Sequence, residues 1–71
     1  MDERREKAIE KYKRFENLLN ERNINSATVC REAYVDFTTL SHWKRGDYVP
    51  KAETLLKIAR YFEVDVAYFI E

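Results

Sequence analysis

The sequence has 71 residues, with 13 basic and 13 acidic side chains and a formal net charge of zero at pH 7. That length suits one domain, expected over residues 1–71, and leaves little room for a deep substrate cleft. A composition 45% hydrophobic and 14% aromatic excludes a disordered tail. Zero net charge excludes a generic basic coat for nucleic acid but permits a DNA reader whose basic residues share one face.

Gly46 and Pro50 are the only residues of their kinds. Small sheet domains rely on both for turns, so their scarcity predicts an all-α chain with short connections. Cys30 is the single cysteine and His42 the single histidine. An internal disulfide is excluded, and zinc would need carboxylates to complete its shell, so no metal or cofactor is expected. Cys30 reads as a small buried residue. No apolar run approaches the ~18–20 residues of a membrane span, and the chain opens on charge; a cytoplasmic protein without a membrane partner is expected.

Residues 2–22 lack glycine and proline, and Ala8, Ile9, Tyr12, Phe15, Leu18 and Leu19 form a stripe at helical spacing. A long first helix is predicted, with Glu3–Lys7 and Glu10–Arg14 pairs on a solvated face. Asn23-Ile24-Asn25-Ser26 interrupts it, and Asn25 is the expected cap of a second helix over 26–33. Tyr34-Val35-Asp36 makes a short turn, and Asp36 caps a third helix over 37–45. There Leu40 and Trp43 face inward, while Phe37, Thr38, Ser41, His42 and Arg45 point outward.

Gly46 ends that helix in a left-handed conformation. Pro50 is expected at the start of a fourth helix, over 51–62, whose Leu55, Leu56, Ile58, Ala59 and Phe62 give the clearest amphipathic pattern. Asp65 caps a last short helix over 66–70. The expected core is Phe15, Leu18, Ile24, Val29, Cys30, Ala33, Val35, Leu40, Trp43, Leu55, Ile58, Ala59 and Phe62.

Two short helices about a tight turn, spanning about 26–45 with a polar outer face on the second, form a helix-turn-helix pattern. A major groove about 12 Å wide admits one helix, which must be braced from behind by apolar side chains. Leu40 and Trp43 are that brace. The run from Val35 through Asp36, Thr39, Leu40, Ser41 and Trp43 to Gly46, with Pro50 beyond it, resembles the lambda-repressor-like, Cro-like (XRE) family of bacterial and phage regulators. Leu55, Lys57-Ile58-Ala59 and Val64 match the same family's fourth helix and its exit, so the likeness covers about residues 15–70.

The resemblance implies a compact five-helix bundle, here with an N-terminally extended first helix, that binds double-stranded DNA. It places Phe37 and Thr38 at base-reading positions and His42 one turn further on. Thr39 and Ser41 stand where family members touch phosphate or the groove wall, and Ser26 where a phosphate is anchored. Arg45 and Lys51 flank the following loop within reach of the DNA backbone. Tyr34 departs from the family's usual glycine and either bears left-handed strain or changes the turn. Lys44 replaces a customary Glu and adds positive charge beside Arg45. Phe37 has no hydrogen-bonding group: it meets a thymine methyl or packs on the first helix. For His42 the alternatives are a base or phosphate contact and a solvated helix position.

Ile9, Tyr12 and Leu19 on the extended first helix, and Tyr68, Phe69 and Ile70 at the end of the chain, exceed what this small core needs. Either the two segments pack on each other or they form a dimer interface, and a homodimer on a palindromic site is expected. No nucleophile–base pair, metal cluster or glycine-rich loop is present, so neither an enzyme nor a small-molecule substrate is expected. The functional expectation is a sequence-specific transcriptional regulator, a phage or mobile-element type repressor that acts by occupying an operator. The alternative is a protein-interaction module on the same fold with little DNA binding.

Overall fold

Acidic and amide side chains stand where four of the five helices begin, and each accepts a backbone N–H that the helix itself leaves unpaired. The computed structural model describes residues 2–71; Met1, the first residue of the expected domain, lies outside them. The helices are α1 (Glu3–Arg22), α2 (Ser26–Ala33), α3 (Phe37–Arg45), α4 (Ala52–Phe62) and α5 (Ala67–Ile70). Asp2 accepts from the Arg4 N–H, Asn25 from Thr28, Asp36 from Thr38 and Asp65 from Ala67, each at 2.9 Å. The 20 residues of α1 span ~30 Å at 1.5 Å per residue. That length accounts for most of the 33 Å long dimension of the molecule.

Helices α1 to α4 all end on a left-handed residue: Asn23, Tyr34, Gly46 and Glu63. Only Gly46 adopts that conformation without a Cβ penalty; each of the others bears up to ~1–2 kcal/mol, least for Asn. The compensation is visible in the next residue. Ile24, Val35 and Val64 follow three of these caps, donate their N–H back to the carbonyls of Leu19, Cys30 and Ala59, and pack against the core. Such a hydrophobic anchor commonly accompanies a left-handed helix end.

The core gathers on Trp43, which is fully buried in the last turn of α3. Its ring stacks on Phe15 at 5.7 Å and meets Tyr12 edge-on at 5.4 Å and Phe69 at 6.1 Å. Two of these partners lie on α1 and one on α5, so the inner face of α3 is held by both ends of the chain. Burying a side chain of this size stabilises by roughly 2–3 kcal/mol, and each aromatic pair adds ~0.5–1.5 kcal/mol. Arg22 donates to the Phe62 carbonyl at 2.7 Å and lies over the Phe62 ring, tying the end of α1 to the end of α4.

Several expectations are corrected. Helix α4 begins at Ala52 with Lys51 as its cap, so Pro50 precedes the helix and is buried in the loop. Helix α5 begins at Ala67 with Val66 at the cap position. Ile24, Cys30 and Ala33 are half-buried, because they line the rim of the core where short α2 runs out. Ala8, Tyr12, Leu19 and Phe69 join the buried set. Arg14 donates to the carbonyls of Tyr68 at 3.1 Å and Glu71 at 2.9 Å, turning toward α5 where a pair with Glu10 was expected.

Candidate nucleic-acid interface

The outer face of α3 follows from its inner one. With Leu40 and Trp43 buried on one side, the 3.6-residue repeat turns Thr38, Ser41, His42 and Arg45 together onto the other. Phe37, Thr38, Lys44 and Arg45 are exposed, and Ser41, His42 and Thr39 are half-buried. The Asp36 carboxylate occupies the start of the helix and fixes the Thr38 N–H.

Apart from Thr38, exposed in the first turn of α3, the expected contact residues fall into three groups. Ser26, Phe37, Ser41 and Lys44 surround one hollow between α2 and α3, of about 110 Å³, floored by Tyr12 and Leu40. Phe37 stays 55% exposed, enough for its ring to reach a partner while its base rests on this hollow. Thr39 and Lys51 line a second groove with Tyr48, Val49, Pro50 and Thr54. His42 and Arg45 meet at the far end of α3, where both contact Asp47.

His42 and Arg45 were expected here, but no local signal points to their partners: Asp47 lies in the loop after α3, and Arg5 is 42 residues away from it in the chain. Arg5 donates to the Arg45 carbonyl at 2.7 Å and reaches the Asp47 carboxylate at 3.5 Å. The hydrogen bond from His42, with Arg45 and Arg5 beside it, holds the Asp47 carboxyl below the usual carboxylate range. Gly46 permits the close approach: a Cβ there would lie 2.6 Å from Arg5 Cγ and 2.9 Å from the Arg5 carbonyl oxygen.

Tyr34 takes the left-handed conformation, at φ 59°, with the tight turn kept and its side chain 83% exposed. Lys57 donates to its carbonyl at 3.3 Å, which secures the turn from α4. The Cys30 thiol is pushed up from its usual value by burial and by Asp36, which favours its protonated form.

The six residues expected at an interface between copies divide. Tyr12, Leu19 and Phe69 are buried within the protomer, the Tyr12 and Phe69 rings both against Trp43 of α3, and α5 packs back on α1. Ile9 is half-buried with its Cγ1 against Gly46, while Tyr68 and Ile70 remain 38% and 48% exposed. Among the described residues no helix is long and apolar enough to cross a membrane.

The family model described as Helix-turn-helix matches residues 15–69, and the chain belongs to that family of DNA-binding regulatory domains, the lambda-repressor-like kind its sequence resembles. No curated protein and no solved structure matches it. The match leaves out the first twelve residues of α1, the segment that carries Arg5, Ala8 and Tyr12.

Proposed function

From membership of the DNA-binding helix-turn-helix family, we propose that this chain is a sequence-specific transcriptional regulator, a cytoplasmic repressor of phage or mobile-element type. It inserts α3 into the major groove of an operator. The carrying observation is that α3 is braced over its whole inner face while Phe37, Thr38, Ser41, His42 and Arg45 stand on its outer side. Phe37 supplies apolar contact to a thymine methyl, and Thr38, Ser41 and His42 supply hydrogen bonds to base edges. Ser26, Thr39, Lys44, Arg45 and Lys51 face the sugar–phosphate backbone.

Two copies bind a palindromic site as a homodimer. Half-sites one helical turn apart place two recognition helices ~34 Å from each other. That spacing is about the 33 Å length of one protomer. Tyr68, Ile70 and Ile9 are the apolar side chains proposed for the contact between copies.

The test is selection of bound sequences from random DNA at two salt concentrations. A palindromic consensus is expected, with log K falling against log salt at a slope of roughly −4 to −5 per monomer for ~4–6 phosphate contacts. A flat salt response with no consensus refutes the reading. It would favour instead a protein-interaction module, for which exposed Tyr34 and Phe37 would be the contact residues.

A further inference from the structure

Asp47 differs from its counterparts at the other helix ends. The residue after the left-handed cap is Ile24, Val35 or Val64 elsewhere, and each packs on the core. After α3 it is a carboxylate. Its backbone is fixed by a 2.9 Å hydrogen bond from its N–H to the His42 carbonyl. Its side chain meets His42 Nδ1 at 2.8 Å, Arg45 Nη2 at 3.2 Å and Arg5 Nη2 at 3.5 Å. The Tyr48 ring stacks on the imidazole at 5.3 Å. Arg5 of α1, Arg45 of α3, and Asp47 and Tyr48 of the loop gather at the ring, and Arg4 and Lys7 of α1 line the adjoining groove with Asp47 and Tyr48.

Hydrogen-bond logic assigns the tautomer. Arg45 Nη2 also lies 2.9 Å from His42 Nδ1, but one nitrogen cannot donate to Asp47 and accept from Arg45 at once. A carboxylate only accepts and a guanidinium only donates. An unprotonated Nδ1 would set its lone pair against the anion at 2.8 Å. Nδ1 therefore carries the proton and donates to Asp47, and Arg45 pairs with the carboxylate. In the neutral ring Nε2 is then an acceptor, without a protein partner among the described residues.

We propose that Asp47 is a specificity-determining residue, which locks His42 as the Nδ1–H tautomer so that Nε2 meets a base edge as an acceptor. The proposal rests on the reading of α3 as the groove-reading helix. An acceptor selects the amino groups of adenine or cytosine; a donor selects O6 or N7 of guanine. Without the carboxylate the ring is free to present Nε2–H as a donor instead, so base preference at one operator position depends on Asp47. The His42 hydrogen bond and the two arginines favour the Asp47 anion. Arg5 is a positioning residue, tying the carboxylate to the α1 extension.

His42 is the only histidine, so the nitrogen shifts of one imidazole report the tautomer directly by NMR in the free protein. Wild type at pH 8 is expected in the Nδ1–H form. Asp47→Ala loses that lock, and Asp47→Asn, which keeps an acceptor oxygen, restores it. Sequence selection at pH 8 is expected to give wild type a preference for adenine or cytosine at one position. Asp47→Ala weakens that preference about three- to tenfold, the worth of one hydrogen bond, while far-UV circular dichroism stays helical. An Nε2–H ring in wild type overturns the proposal. So does a locked ring with base preference indifferent to Asp47→Ala, in which case the groove-reading helix stands. Wild type that selects no sequence overturns the groove reading and the base-reading role with it. The NMR measurement needs no DNA and tells these failures apart.

Discussion

Replacing Gly46 by alanine attacks the junction of α1 and α3 from both sides. The residue sits at φ +83°, where an L side chain bears ~1–2 kcal/mol of strain. The added methyl would also lie 2.6 Å from Arg5 Cγ, 2.9 Å from the Arg5 carbonyl oxygen and 2.9 Å from Ile9 Cγ1. One of these is backbone, so α1 itself must move, and overpacking of this kind costs a further ~1–3 kcal/mol. A chain of this length has a total stability of only ~4–10 kcal/mol. The expected loss of about 3 kcal/mol is then a large fraction of it and lowers Tm by roughly 10–20 °C. Thermal unfolding followed by far-UV circular dichroism and by fluorescence of buried Trp43 measures the effect. A loss under ~4 °C would show that α1 yields at Arg5 almost freely, and the argument that this contact positions the end of α3 would fail.

Tyr34→Gly should act in the opposite direction. The left-handed strain of ~1–2 kcal/mol is relieved, and the gain is offset by ~0.5–1 kcal/mol of backbone entropy. Because the tyrosine is 83% exposed, little packing is lost; a Tm unchanged or a few degrees higher is expected, and a clear fall refutes the account of the turn. Phe69→Ala should cost ~3–5 kcal/mol in a core against Trp43. That loss should be independent of protein concentration; a loss that disappears on dilution would assign Phe69 to contact between copies. The depressed Asp47 pKa contributes stability above the ordinary carboxylate value, and the contribution is lost as pH falls through the lower folded value. Wild type should therefore lose Tm more steeply than Asp47→Asn below about pH 4. Parallel acid profiles for the two proteins would contradict the ion-pair network.

Much of this molecule is local chemistry. Asn25 and Asp36 cap helices, and Asp65 accepts at the start of α5, because their short side chains reach a nearby N–H, an interaction within three residues in the chain. Leu40 and Trp43 lie inward because helical periodicity sets them three apart. The start of α4 escaped the same reasoning, since Pro50 suits both a first helical turn and the residue before a cap. The fate of Tyr12, Leu19 and Phe69 was equally open. An apolar excess on two segments distant in sequence fits mutual packing and dimer formation alike until α5 is placed on α1.

The five helices, the turn between α2 and α3 and the outward side of α3 follow from spacing, caps and one glycine, because each is governed by residues within a few positions of one another. The sites of three left-handed helix ends without glycine follow only from the folded chain, where Ile24, Val35 and Val64 find the core. The Asp47 cluster likewise depends on tertiary structure. It needs Arg5 brought across 42 residues to the end of α3, a distance over which no local pattern carries information. The balanced charge of the whole chain therefore concealed an arrangement of opposite charges at one end of α3.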